Sequence, residues 1–136
     1  MTHHITVKVY YEDTDCGGVV YYANYLRYLE RARTEYFEST GLSLKAMKAR
    51  GIQFVVRHVD IEYLRPGHYG DVLRIDTDVE KIEKIRILFR NTIMQGRSGD
   101  VLARAKTSLV CIDESFRPVR IPAEIQKKIL SHGKIL

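Results

Sequence analysis

The segment from Tyr10 to Tyr25, YYEDTDCGGVVYYANY, holds the residues whose types and spacing could do chemistry. Asp15 is followed by Gly17 and Gly18, which allow tight turns and positive φ angles that other residues avoid. A carboxylate in such a loop can act as a nucleophile or as a general base. It can also simply cap the loop, which is the commoner role of Asp in a turn.

A long helix is predicted directly after this loop. Apolar side chains recur every three or four residues from about Asn24 to Thr40, and Gly41 follows. The first N–H groups of a helix have no partners within it, and the macrodipole adds about half a positive charge there. We expect the side chain of Asn24 to cap this end. The other face of the helix is expected to be solvated and carries charged residues: Arg27, Glu30, Arg31, Arg33, Glu35 and Glu38.

A carboxylate beside a helix start provides the two parts that acyl-transfer hydrolysis requires. The helix start can polarise a carbonyl group, and Asp15 can attack the carbonyl or activate water to attack it. A thioester suits so sparse a site because its thiol, with a pKa of roughly 8.5, leaves as a thiolate without a strong acid. An amide would require more catalytic groups.

The remaining elements must hold this loop and helix in place, and their pattern indicates an α+β fold. Alternation from Ile5 to Val9 predicts a first strand, and Ser43 to Arg50 predicts a short second helix. A strand from Phe54 to Leu64 and three further strand-length segments follow, namely Val72 to Glu83, Ile85 to Met94 and Val101 to Ile112. A last short helix spans about Ala123 to Ser131. This order predicts an antiparallel sheet wrapped around the long helix.

Composition predicts one soluble domain over residues 1–136. We expect a cytoplasmic protein, since no leader or membrane-spanning stretch is visible and the two cysteines suit reduced thiols. His58, His68 and the pair His3-His4 lack metal-ligand spacing, so neither a metal nor a cofactor is implied. The net charge of +5 is spread along the chain, which is most typical of a solvated surface; as a functional interpretation it favours diffuse phosphate contacts over a nucleic-acid site.

Two segments carry a resemblance to a known family. YYEDTDCGGVVYYANYLRYLERARTEYF resembles the signature of the YbgC-type and 4-hydroxybenzoyl-CoA thioesterases of the hotdog superfamily, and VDIEYLRPGHYGDVLRIDT resembles their second and third strands. The resemblance implies a hotdog fold, in which a curved antiparallel sheet wraps around one long central helix. It also implies dimers formed by edge-to-edge sheet pairing, usually assembled into tetramers.

The resemblance assigns roles to residues of the motif. Asp15 matches the catalytic carboxylate, and Asp13 matches a companion acid that shapes the loop. The resemblance places the backbone N–H of Tyr22 at the substrate carbonyl. Gly18, in the loop before it, is expected among the substrate-binding residues. Many YbgC-type sequences have His where Tyr22 stands, so an imidazole contribution is absent here. Tyr11 matches a tyrosine near the site, although a strand-end aromatic packed on the helix is an equal alternative.

The resulting functional expectation is an acyl-CoA thioesterase acting on small or medium acyl groups, with acyl carrier protein as another thioester carrier. Arg86 and Arg90, or residues near Arg57, are expected to meet the CoA phosphates at a subunit boundary, although solvated strand residues are as good an interpretation of each one. Two alternatives stay open: a non-catalytic module that binds acyl-CoA or acyl carrier protein, and a hotdog hydratase. A hydratase requires an acid–base pair, and no Asp–His pair is visible in the motif.

Overall fold

Residues 2–132, apart from the side chain of His132, are described by a computed structural model. Its elements, in chain order, are β1 (His3–Lys8), α1 (Asn24–Ser39), α2 (Leu44–Ala49), β2 (Gln53–Tyr63), β3 (Val72–Ile82), β4 (Arg86–Gln95), β5 (Val101–Ile112) and α3 (Ala123–His132). A 3₁₀ turn, Tyr11–Asp13, lies between β1 and α1. The predicted elements are confirmed, with boundaries displaced by at most two residues.

The five strands form one antiparallel sheet in the order β1-β3-β4-β5-β2. The predicted meander of β3, β4 and β5 is confirmed, and β1 and β2 extend it on either side. β1 pairs only with β3, and β2 pairs only with β5, so each has a free edge within the described residues. The longer of these edges belongs to β2.

α1 packs its apolar stripe on one face of the sheet. Tyr28, Leu29 and Ala32 are buried against Leu73 and Ile75 of β3. Further along the helix, the buried residues Tyr36 and Phe37 join a second cluster, which also contains Phe89 of β4 and the isoleucines of α3. The helix is therefore held by the sheet from one side only.

The charged side of α1 is solvated except at one position. Arg27, Glu30 and Arg31 are exposed as expected, whereas Arg33 is only 8% exposed. The prediction that Arg33 lies on the solvated face is wrong, because this position turns toward β2 and the core rather than outward. Within residues 2–132, no helix combines the length and apolar character needed to cross a membrane.

The segment between β1 and α1 lies at the end of the sheet where β2 ends and β3 begins. The N–H of Val20 donates to the carbonyl of Gly67 at 2.8 Å, and the N–H of Val9 donates to the carbonyl of Asp71 at 2.8 Å. The hydroxyl of Tyr25 in α1 accepts a hydrogen bond from the N–H of Gly67 at 3.1 Å. These bonds fix the Asp15 loop and the start of α1 against the same connection.

Candidate active site

The loop that carries Asp15 is a small hairpin. The N–H of Tyr21 donates to the carbonyl of Asp13, and the N–H of Asp15 donates to the carbonyl of Val19, both at 2.9 Å. The N–H of Gly18 closes the turn onto the carbonyl of Asp15 at 3.0 Å, with Gly18 at a φ of 77° that favours glycine. The sequence motif thus folds into a defined turn that begins at Asp15.

The Asp15 carboxylate caps this turn and also faces outward. Its Oδ1 accepts a hydrogen bond from the N–H of Gly17 at 2.8 Å. Its Oδ2 has no hydrogen-bond partner among residues 2–132, and the residue is exposed. A Cβ added at Gly17 would lie 3.1 Å from Oδ1, so a side chain there would crowd the carboxylate. The capping role and the catalytic role are therefore compatible, because one oxygen orients the group and the other stays available.

The carboxylate of Asp13 links the segment that follows β1 to the first residue of α1. Its Oδ2 accepts from the N–H of Tyr10 at 2.8 Å, and its Oδ1 accepts from Nδ2 of Asn24 at 3.0 Å. These contacts fit the loop-shaping role expected for Asp13. The prediction that Asn24 caps α1 is wrong: the N-cap residue is Ala23, and the Asn24 amide is turned toward Asp13 instead.

The start of α1 has N–H groups available beside this loop. The N–H of Asn24 bonds to the carbonyl of Tyr21, whereas that of Tyr22 has no acceptor within residues 2–132. The first turn of α1 contains no acidic residue of its own, and the nearest carboxylate with a contact to it is that of Asp13, which is bound to the side chain of Asn24. The carbonyl of Tyr22 accepts a hydrogen bond from the Tyr63 hydroxyl at 2.9 Å. This bond holds the Tyr22–Ala23 peptide, which directly follows the Tyr22 N–H. This end of the helix can polarise a carbonyl oxygen.

Exposed tyrosines surround the loop and the helix start. Tyr22 is 62% exposed and contacts Tyr63 with ring centroids 6.2 Å apart. Tyr11 is 80% exposed and meets Tyr69 edge-on at 5.9 Å, so the alternative in which Tyr11 packs on the helix is wrong. Sequence reasoning missed Tyr63 and Tyr69, whose only signal was the abundance of tyrosine. The four rings form two pairs, Tyr11 with Tyr69 and Tyr22 with Tyr63.

His68 also lies beside the loop and was not assigned to the site. It forms an isolated β-bridge with Val19. Its Nδ1 lies 3.9 Å from Oδ2 of Asp71, so its charge partner is that carboxylate and not Asp15. Within the described part of the chain, no group of three or more His, Cys, Asp or Glu side chains could hold a metal ion.

Arg86 and Arg90 lie far from Asp15 within one chain. The site is at the end of β4 near Gln95, where the N–H of Gly96 bonds to the carbonyl of Val72. At about 3.3 Å per residue, Arg86 is about 30 Å and Arg90 about 17 Å from that end. Both alternate with buried Ile87 and Phe89, so they point away from α1 on the outer face of the sheet. A single chain does not bring them to Asp15.

Comparison with known proteins places this arrangement in a family. The family model described as the Thioesterase-like superfamily matches residues 9–129. The chain is 37% identical over 122 residues to the acyl-CoA thioesterase YbgC of Haemophilus influenzae, a match that covers 88% of each chain. It is 38% identical over 120 residues to the acyl-CoA thioester hydrolase YbgC of Escherichia coli O6:H1, covering 88% of this chain and 89% of the relative.

A solved structure shares the whole fold. The crystal structure of Slr0204, a 1,4-dihydroxy-2-naphthoyl-CoA thioesterase from Synechocystis, superposes with a TM-score of 0.88 at 30% identity and covers 96% of each chain. The expected hotdog fold is confirmed by this likeness. Since the family model covers most of the chain and the relatives exceed 30% identity, the chain belongs to the Thioesterase-like superfamily, with YbgC acyl-CoA thioesterases among its relatives.

Proposed function

We propose that this protein hydrolyses acyl-CoA thioesters to a free acid and CoA, with Asp15 as the reacting carboxylate. One observation carries the proposal: the hairpin holds Asp15 through the N–H of Gly17, next to a helix start where the N–H of Tyr22 is unpaired within residues 2–132. The names of its relatives, acyl-CoA thioesterases and thioester hydrolases, support the same reaction.

The substrate carbonyl oxygen would accept the N–H of Tyr22 as negative charge develops on it. One such donor contributes about 3 kcal/mol to stabilising the transition state. Asp15 then acts in one of two ways: it attacks the carbonyl carbon to form an acyl anhydride that water hydrolyses, or it removes a proton from an attacking water. In both routes the C–S bond breaks and CoA leaves as a thiolate, which needs no strong acid in the site.

The exposed tyrosines suggest where the acyl group binds. Tyr22 and Tyr63 meet edge-on at the start of α1 and leave exposed ring surface there, which suits a small or medium acyl chain or a ring. Binding on an open surface would leave the thioester in water, so the site requires a further wall. The free edge of β2, which ends at Tyr63, lets a second copy supply that wall by pairing its own sheet edge.

Self-association into a dimer or tetramer is therefore part of this proposal, as is a cytoplasmic location. The exposed Cys16 and the buried Cys111 are both free thiols, which suits a reducing compartment. Acyl carrier protein is proposed as another thioester carrier, because the loop and helix start would read only the thioester. Arg86 and Arg90 are proposed to meet CoA phosphates of a site built with another subunit, since they lie far from Asp15 in their own chain.

Hydrolysis is favoured over the two alternatives by specific contacts. A hydratase needs a second acid–base group facing the substrate, yet His68, which neighbours the loop, is directed to Asp71. A binding module without catalysis would not require a carboxylate that is oriented through one oxygen and leaves the other oxygen available. The direct experiment is a panel of acyl-CoAs with thiol release followed by a thiol reagent, for the parent chain and for Asp15→Ala. Binding without release by the parent would favour the module, and release equal in both chains would exclude Asp15.

A further inference from the structure

Tyr28 of α1 has a buried hydroxyl that packing alone does not explain. The residue is fully buried, and its hydroxyl has no hydrogen-bond partner of standard geometry among residues 2–132. The ring meets Tyr25 edge-on with centroids 6.1 Å apart, and Cζ of Arg31 lies 5.7 Å from its centroid. A phenylalanine ring could make the same contacts. The hydroxyl therefore requires an acceptor, because a buried polar group without a partner is costly.

The polar groups next to this hydroxyl belong to the segment that shapes the active site. Asn24 lies one helical turn before Tyr28 on α1, and its Nδ2 donates to Oδ1 of Asp13 at 3.0 Å. Burial raises the pKa of Tyr28, the carboxylate of Asp13 raises it further, and the side chain of Asn24 lowers it. The hydroxyl therefore lies beside the contact between Asp13 and Asn24.

The position of Asp13 affects both groups that would act on the thioester. Its backbone carbonyl accepts a hydrogen bond from the N–H of Tyr21 at 2.9 Å. Tyr21 directly precedes Tyr22, whose N–H would polarise the substrate carbonyl. Asp13 also precedes Asp15 by two positions in the same hairpin. A displacement of Asp13 would therefore be transmitted to the reacting carboxylate and to the donor at the helix start.

We propose that Tyr28 is a positioning residue for the hydrolysis: its hydroxyl donates to the carboxylate of Asp13 in the reacting complex and so holds the hairpin that carries Asp15. This inference rests on the proposed thioesterase function and adds a residue to it. Hydrogen bonds that serve catalysis are often long or poorly aligned before the substrate binds and tighten in the reacting complex. Because Tyr28 is fully buried, it acts through Asp13 and does not touch the substrate.

The first test is Tyr28→Phe, which removes only the hydroxyl oxygen. We expect kcat for an acyl-CoA to fall about tenfold and KM to change less than about twofold, because a bond to a charged acceptor is lost in the transition state. Urea unfolding should show no loss of stability, since the hydroxyl has no partner of standard geometry in this structure. A tyrosine with a merely structural role would show the opposite pattern, with reduced stability and the parent kcat.

Tyr36→Phe is the matched control for the loss of a tyrosine hydroxyl from α1. Tyr36 is also buried, lies about two helical turns beyond Tyr28, and packs against Phe89 of β4 with centroids 5.5 Å apart. It belongs to the second core cluster and not to the one that contains Tyr28. Both kcat and KM of this variant should match the parent.

The second test asks whether Tyr28 acts through Asp13. Asp13→Ala removes both acceptor oxygens, so adding Tyr28→Phe to it should lower kcat less than about twofold further, as expected for two residues of one network. Tyr28→Phe that lowers kcat by the same factor in both backgrounds would show that Asp13 does not carry its effect. If circular dichroism shows that Asp13→Ala does not fold, the comparison of Tyr28→Phe with Tyr36→Phe decides alone.

The outcomes separate this inference from the proposed function. A folded parent chain that hydrolyses no acyl-CoA overturns both. An active parent whose Tyr28→Phe variant keeps the parent kcat overturns the role of Tyr28 and leaves the thioesterase standing. A fall in kcat that is accompanied by a loss of stability, or that Tyr36→Phe reproduces, has the same consequence. A fall in kcat confined to Tyr28→Phe, with unchanged stability, supports the positioning role.

Discussion

The hydroxyl of Tyr63 donates a hydrogen bond of 2.9 Å to the backbone carbonyl of Tyr22. This bond joins the last residue of β2 to the peptide next to the start of α1, 41 positions earlier in the chain. The Tyr63 ring also contacts the rings of Tyr22 and Tyr25. The end of β2 thus helps to hold the Tyr22–Ala23 peptide, which directly follows the N–H that would face a substrate carbonyl.

Tyr63→Phe should lower kcat/KM for an acyl-CoA about fivefold, because a hydrogen bond of this kind contributes about 1 kcal/mol and the ring contacts remain. Most of the change is expected in kcat, since the bond steadies the backbone next to the Tyr22 N–H, a donor that acts in the transition state. Tyr69→Phe is the control, because its exposed hydroxyl has no hydrogen bond within residues 2–132. Equal kinetics for Tyr63→Phe and the parent would show that Tyr63 does not orient the helix start.

Two neighbouring glycines should respond differently to alanine. Gly17→Ala places a Cβ 3.1 Å from Oδ1 of Asp15, so it should displace the carboxylate and lower the hydrolysis rate about tenfold or more. Gly18→Ala meets nothing within 4 Å but has a φ of 77°, so it should reduce the free energy of unfolding by about 1 to 2 kcal/mol. Steady-state rates and urea unfolding of both variants separate these effects. The interpretation fails if Gly17→Ala retains the parent rate.

Salt should weaken binding of CoA substrates without slowing their hydrolysis. Exposed Arg–phosphate contacts are screened as the Debye length shortens, so the KM for acyl-CoA should rise severalfold between about 0.05 and 0.5 M salt. The KM of a short thioester without the nucleotide should not change. Arg90→Gln and Arg86→Gln should each raise the KM for acyl-CoA at low salt and reduce its salt dependence. An equal response of both substrates would exclude these phosphate contacts.

Alkaline pH should destabilise the fold through buried acids. Burial raises the pKa of the Cys111 thiol from 9.0 to about 11 and that of Tyr36 from 10.0 to about 12. The folded state therefore holds protons that the unfolded chain has released, so stability is lost as the pH rises from about 9 toward 12. Urea unfolding at several pH values should show this loss, and Cys111→Ala should show a smaller loss between pH 9 and 11. A free energy of unfolding that stays constant over this range would contradict the assignment.

The spacing of apolar residues along the chain predicted the fold because the buried positions of the strands and of α1 follow the same spacing. The strand and helix periods in the chain match the buried positions of β3, β4 and α1 closely. The Asp15 loop was predictable for a different reason, since the motif supplies glycine where the chain needs a positive φ, as at Gly18.

Contacts between distant segments were not predictable from these patterns. The Tyr63–Tyr22 bond depends on where β2 ends relative to α1, and the Asn24 amide finds Asp13, not its own helix. Arg33 looked solvated because its charge outweighed its position at the edge of the apolar stripe. Arg33 lies one helical turn from buried Leu29 and from buried Phe37, and β2 covers it from the side.

The most direct test of the account is the hydrolysis rate of Asp15→Asn. We expect kcat for an acyl-CoA to fall at least about a hundredfold with little change in urea unfolding, because the variant keeps a side-chain oxygen for the N–H of Gly17 but loses the nucleophile or base. Asp13→Asn should lose less activity and about 1 kcal/mol of stability, since Asp13 accepts bonds from Tyr10 and Asn24. Glu12→Gln, an exposed acid in the same segment, serves as the control and should match the parent. A near-parent rate for folded Asp15→Asn would contradict the central claim.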